Sequence, residues 1–149
     1  MAISIRPVTI SDHQEWGDLF LAYGRFYEVE LDPDALATVW AWIFDPREPF
    51  WCDVAETASG QIIGLTQYQT MHRSLGGNMV CYLSDLYVEP GNRGAGTGRA
   101  LIEHVIAFAK AEKLAGVRWL TQEFNYPGRM LYDTFAPRTD FILYNVLVE

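Results

Sequence analysis

The stretch Tyr82-Leu-Ser-Asp-Leu-Tyr-Val-Glu-Pro-Gly-Asn-Arg-Gly-Ala-Gly-Thr-Gly-Arg-Ala-Leu101 constrains the fold more than any other. An apolar strand ends, a turn carries Arg93, Gly94, Ala95, Gly96, Thr97, Gly98 and Arg99, and a helical pattern begins. Leu101, Val105, Phe108 and Ala109 then fall on one face of that helix. Glycines in such a turn let the backbone approach a ligand, while the N–H groups and dipole of the helix start favour an anion. Arg93 and Arg99 flank the turn in an otherwise acidic chain, and a pyrophosphate fits. A dinucleotide fingerprint would need glycine where Arg99 stands. A Walker loop would need a terminal Gly-Lys-Ser/Thr, which the sequence lacks.

The rest of the chain supplies a sheet for this turn to sit on. Ile3, Ile5 and Val8 start a strand, and Ser11-Asp12 offers a helix N-cap before Trp16, Leu19, Phe20, Tyr23, Phe26 and Tyr27 at helical spacing. Pro33 suits the first turn of a second helix, with Leu36, Val39, Trp40 and Ile43 as its apolar stripe. Residues 50–56 and 61–71, joined at Ser59-Gly60, predict a hairpin, and residues 79–88 a central strand. A helix over 96–114 stops at Gly116, followed by a strand over 117–124, a short helix over 127–135 and a last strand over 141–148. The order β-α-α-β-β-β-α-β-α-β predicts an α/β fold, with a mixed, mostly antiparallel sheet and helices on both faces. Its 149 residues suit a single domain spanning 1–149.

Composition narrows the partners. A net charge of −8 repels phosphate backbones, so nucleic-acid binding is not expected, and the same field attracts cationic ligands. No apolar run reaches the ~20 residues of a membrane span. The N-terminus lacks the pattern of a signal peptide. Cys52 and Cys81 lie in strand-like runs and read as buried free thiols, which points to a reducing, cytoplasmic setting.

Arg93, Gly96 and Gly98 spell Arg-x-x-Gly-x-Gly, which resembles the CoA-pyrophosphate loop of the GNAT acetyltransferase superfamily. Asn125-Tyr-Pro-Gly-Arg-Met-Leu-Tyr132 is similar to the superfamily's second cofactor element, and Ile5-Arg-Pro-Val-Thr opens as many members do. Pro49-Phe-Trp-Cys-Asp-Val-Ala-Glu56 and the strand Tyr82–Val88 look like diamine acetyltransferases of the spermidine/spermine type. Phe26-Tyr-Glu-Val-Glu-Leu31 and Trp119-Leu-Thr-Gln-Glu-Phe-Asn125 are similar to the fungal histone/polyamine acetyltransferases. The resemblance implies acetyl-CoA lying between two splayed strands, with Asn125 on the cofactor and the Tyr132 hydroxyl near its sulfur. It also implies that backbone N–H groups around Leu86 and Val88 polarise the thioester carbonyl.

Acetyl transfer to an amine needs a free lone pair, and deprotonating an alkylammonium at neutral pH costs roughly 4–5 kcal/mol. A nearby carboxylate can serve as base. Diamine acetyltransferases place a Glu where this chain has Ser84, and strand alternation sends neighbouring Asp85 to the opposite face. Asp85 is the catalytic candidate beside Tyr132; Glu28 and Glu123 are further carboxylates. Tyr27, Glu28, Glu30 and Glu123 are candidate acceptor contacts, since aromatic faces and acids suit an organic cation. The expected acceptor is a polyamine or similar cationic amine. Protein lysines, an amino-sugar, or a non-catalytic acyl-CoA sensor are the alternatives. No metal site is read. Ala136-Pro-Arg-Thr-Asp-Phe141 replaces the superfamily's usual Gly-Phe, and only one strand's length remains where two are typical. A partner subunit is therefore expected to complete the sheet, as a homodimer.

Overall fold

The computed structural model describes residues 2–149. Two compact units divide the chain, one ending at Trp119 and the other covering Leu120–Glu149. The first holds the sheet: β1 (Ile3–Pro7), β2 (Phe50–Thr57), β3 (Ile62–Arg73), β4 (Asn78–Val88) and β5 (Val117–Arg118), in that spatial order. The first four pair antiparallel and β4 pairs β5 in parallel, giving the mixed, mostly antiparallel sheet expected.

Local chemistry explains the helices. Asp12 stands at the start of α1 (His13–Phe26), its carboxylate accepting from the Thr9 N–H at 2.7 Å and from Arg6. Asp32 caps α2 (Pro33–Phe44) by accepting from the Asp34 N–H at 2.8 Å. On one face of the sheet, Trp16, Leu19 and Phe20 of α1 pack with Cys52, Val54, Leu65 and Tyr87, and α2 adds Leu36, Val39 and Trp40. On the other face, Leu101 of α3 (Thr97–Ala111) packs with Ala55, Ile63 and Val88. Gly64 leaves room for β4 beneath this layer, because a Cβ there would lie 2.9 Å from the Tyr87 carbonyl oxygen. Cys52 and Cys81 are both free and buried, as the sequence suggests. No helix of the described residues is long and apolar enough to cross a membrane.

Three expectations need correction. The α3 helix ends before Gly116: Lys113 takes the left-handed conformation (φ 58°), and the Leu114 N–H returns to Ala109 at 2.9 Å. The strand expected over 117–124 shortens to Val117–Arg118. In the second unit α4 spans Tyr126–Tyr132, and the strand expected over 141–148 does not form. Phe141, Ile142, Leu143, Tyr144, Val146, Leu147 and Val148 are each at least 72% exposed. Apolar, branched residues favour strands, but a strand needs a neighbouring edge to pair with, and propensity cannot provide one.

Candidate active site

The site grows from an irregularity in β4. Tyr68 faces Leu83 and Gln67 faces Asp85, so Ser84 is an extra residue, a β-bulge. Its hydroxyl accepts from Gln69 Nε2 at 3.3 Å, and Asp85 Oδ2 accepts from Gln67 Nε2 at 2.9 Å. Gln67 and Gln69 are two apart and share a face, so Ser84 and Asp85 share it too. The alternation that would send Asp85 to the opposite face fails at the bulge. Both residues look toward α1.

Asp85 is half-buried there. Burial raises its carboxyl above the usual range, and hydrogen bonds from Gln67 and Tyr23 partly offset this. The Tyr23 hydroxyl also lies 3.4 Å from the Ser84 carbonyl oxygen, so its single proton is shared between that acceptor and Asp85. Gln67 is completely buried and accepts at 2.8 Å from Trp16 Nε1. Sequence reasoning did not single out Trp16, Tyr23 or Gln67 for the chemistry of Asp85. The available signal was Thr66-Gln67, a polar pair inside an otherwise buried strand.

The bulge also marks where β4 loses its neighbour, because pairing with β5 covers only Cys81 and Tyr82. The Glu89 N–H donates to Ile63 at 2.9 Å, so by alternation the backbone groups of Leu86 and Val88 face the other edge. Arg93 Nε donates to the Val88 carbonyl there at 2.8 Å. Its guanidinium lies 5.4 Å from the Tyr87 ring centre and 5.7 Å from that of Phe26.

Beyond β4 the glycine turn takes the form an anion site needs. Gly94 and Gly96 both have φ 85°, with Ala95 between them, and Gly96 is the N-cap of α3. The first intrahelical bond runs from Ala100 to Gly96 at 3.0 Å, so the N–H groups of Thr97, Gly98 and Arg99 have no intrahelical acceptor. A Cβ on Gly94 or Gly96 would meet nothing within 4 Å, so backbone conformation, not crowding, requires glycine. The Thr97 hydroxyl is buried without a hydrogen-bond partner. Arg99 lies 4.0 Å from Glu103. Amides without an intrahelical acceptor, an unpartnered hydroxyl and two arginines fit a pyrophosphate.

The acceptor candidates of the first unit gather at the end of α1. Tyr27 caps the helix and touches Tyr23 and Phe26, with ring centres 5.2 and 5.0 Å away. Glu28 turns the chain at φ 60°. Glu30 is bound by Arg25 at 2.8 Å, so its charge is already matched on the surface. In the second unit, Asn125 Oδ1 accepts from the Gly128 N–H at 3.3 Å and its Nδ2 donates to Thr121 at 2.9 Å, making it the N-cap of α4. Tyr132 is the last residue of that helix. Exposed Glu123 lies 3.8 Å from Arg129.

Comparison with known proteins identifies the family and the fold. Residues 15–135 match the model of the "Acetyltransferase (GNAT) family". The D-amino-acid N-acetyltransferase HPA3 of Saccharomyces cerevisiae is 32% identical over 95% of this chain and 89% of its own. A possible acetyltransferase from Clostridium difficile 630 superposes with a TM-score of 0.84 at 20% identity, covering 100% of this chain and 99% of its own. A ribosomal-protein-alanine N-acetyltransferase from Brucella melitensis biovar Abortus 2308 gives 0.81 at 20% identity, with 99% and 100% covered. These two structures share the fold.

Proposed function

From a chain that belongs to the GNAT acetyltransferase family and is therefore an acetyl-transferring enzyme, we propose a reaction between acetyl-CoA and the amino group of a small molecule, with Asp85 as base. The observation that carries this reading is the half-buried Asp85 carboxylate at the bulge of β4, beside the unpaired edge that leads into the glycine turn.

Acetyl-CoA supplies the activated acetyl thioester. The turn residues Arg93–Arg99 hold its pyrophosphate through amides and charge, and Asn125 adds a contact. Asp85 receives the proton of the acceptor ammonium, freeing the lone pair that forms the new C–N bond. Its raised pKa makes it a stronger base than an ordinary aspartate. The Leu86 and Val88 N–H groups draw charge onto the carbonyl oxygen as that bond forms. Tyr132 would give its hydroxyl proton to the sulfur as the C–S bond breaks, and the second proton leaving the nitrogen would restore that hydroxyl, while the first passes from Asp85 to solvent.

Two acceptor classes compete. The −8 net charge and the acids at the end of α1 favour a polyamine. Glu30, however, is spent on Arg25, and the cationic Arg93 lies beside Phe26 where the acceptor helix ends. Together with the D-amino-acid activity named for the yeast relative, this favours an amino acid, whose carboxylate Arg93 could meet. The test is free-thiol release from acetyl-CoA with D- and L-amino acids, spermidine and an aminoglycoside. Amino acids are expected to give the highest kcat/KM, and Asp85→Asn to remove most of it. A preference for spermidine would overturn the acceptor class. Undiminished activity in Asp85→Asn would overturn the base.

The exposed apolar run over 141–148 supports a homodimer in which a second copy covers it. The buried free thiols favour a cytoplasmic setting. Light scattering of the intact chain would read a dimer mass; a monomer at micromolar concentration would remove the first proposal.

A further inference from the structure

Asp85 stands at the end of a two-bond chain with a fixed direction. Trp16 Nε1 donates to Gln67 Oε1 at 2.8 Å, and Gln67 Nε2 donates to Asp85 Oδ2 at 2.9 Å. An indole N–H can only donate, so the amide must turn its oxygen to Trp16 and its nitrogen to Asp85. Trp16 and Gln67 are both buried, so water offers no alternative partner that would let the amide flip. We propose that Trp16 and Gln67 are positioning residues that present Asp85 with an N–H and never with an acceptor, holding it as the group that takes the proton.

The inference rests on the reading of Asp85 as base. Its need follows from the surroundings. Desolvation favours the neutral acid, and a neutral Asp85 could not accept a proton from the ammonium. An amide turned the other way would offer its oxygen to the protonated acid and reward the wrong state. The titratable groups that face Asp85 are Tyr23 from α1, Cys52 from β2 and Tyr82 on its own strand. None of these is a cation, so the direction of the Gln67 dipole falls to Trp16.

The test uses the intact enzyme with the acceptor that gives the highest rate. Gln67→Met keeps length and approximate volume but removes both the donor to Asp85 and the acceptor for Trp16; Trp16→Phe removes the indole donor together with part of a buried ring. The acid limb of kcat/KM against pH is expected to move to higher pH in Gln67→Met, by about one unit, or a tenfold loss at acidic pH. Trp16→Phe should move it less, and the double variant no further than Gln67→Met. A second readout needs no turnover: the Trp16 indole N–H resonance should shift as Asp85 titrates in the wild-type protein, and stay still in Asp85→Asn. This readout holds even if Gln67→Met fails to fold. An unmoved acid limb in folded Gln67→Met, or an indole signal insensitive to Asp85, overturns the inference and leaves the base reading intact. Full activity with an unchanged pH profile in Asp85→Asn overturns both.

Discussion

Arg93 holds its guanidinium 5.7 Å from the Phe26 ring centre while its Nε donates to the Val88 carbonyl at 2.8 Å. One side chain therefore links the end of β4, the glycine turn and the end of α1. Lysine keeps the charge but cannot keep both the directed N–H and the planar stack. Arg93→Lys is expected to weaken acetyl-CoA binding by about tenfold, at the low end for a charged hydrogen bond, and to raise KM for the acceptor as well. Calorimetry with acetyl-CoA and steady-state kinetics separate the two. An unchanged acceptor KM would show that Arg93 serves the cofactor side alone.

Thr97 carries a buried hydroxyl without a partner at the head of α3. Valine has nearly the same shape and no polar atom to desolvate. Thr97→Val should leave the free protein as stable or more stable by up to about 1 kcal/mol. The same change should weaken acetyl-CoA binding if the cofactor completes that hydroxyl's bond. Thermal melts with and without acetyl-CoA read both effects. A large loss of stability without ligand would show that the hydroxyl is already satisfied.

Asp12 is held at about 2 rather than the usual 3.8, chiefly by hydrogen bonds from Arg6, with Thr9 adding to them against the effect of burial. A lowered carboxyl favours the folded state only while it is ionised. Its contribution is complete above pH 4 or so and disappears as the pH falls toward about 2. Asp12→Asn keeps the size and an oxygen acceptor for the Thr9 N–H but carries no charge. Urea denaturation should find it less stable than wild type at pH 7, with the gap closing near pH 2. A gap that persists at pH 2 would assign the loss to packing.

Tyr132→Phe should lower kcat by about a hundredfold, the lower range for general acid catalysis, with acetyl-CoA affinity nearly unchanged. Isothermal titration alongside single-turnover kinetics checks this. An undiminished rate would mean that the thiolate leaves without this proton.

Sequence alone revealed what depends on local chemistry. The glycine turn was legible because positive φ and a helix start leave a fixed residue signature, as Gly94 and Gly96 confirm. The hairpin of β2 and β3 was legible for the same reason. What was hidden depends on pairing. Alternation failed at Ser84, because a bulge is defined against the neighbouring strand. The run over 141–148 has strand-forming residues and no strand, since its partner edge is not written in its own residues. The roles of Trp16 and Gln67 emerge only when residues 51 positions apart meet. Glu30 shows the reverse case: a suggestive acid whose charge a neighbouring arginine had already answered.

The bulge at Ser84 also sets how the chain would respond to losing a residue. Removing Ser84 would leave Tyr68 opposite Leu83 and Gln67 opposite Asp85, with every pairing between β3 and β4 preserved. The ladder would become regular, and a regular ladder bends and twists less. Yet pairing with β5 stops just before this point, so a straighter β4 could go on pairing with its parallel neighbour. The backbone groups of Leu86 and Val88 would then be drawn into a ladder instead of facing an unpaired edge. A single-codon deletion here should thus give a sturdier protein with no room to work, placing thermal selection and catalytic selection in direct opposition at one residue.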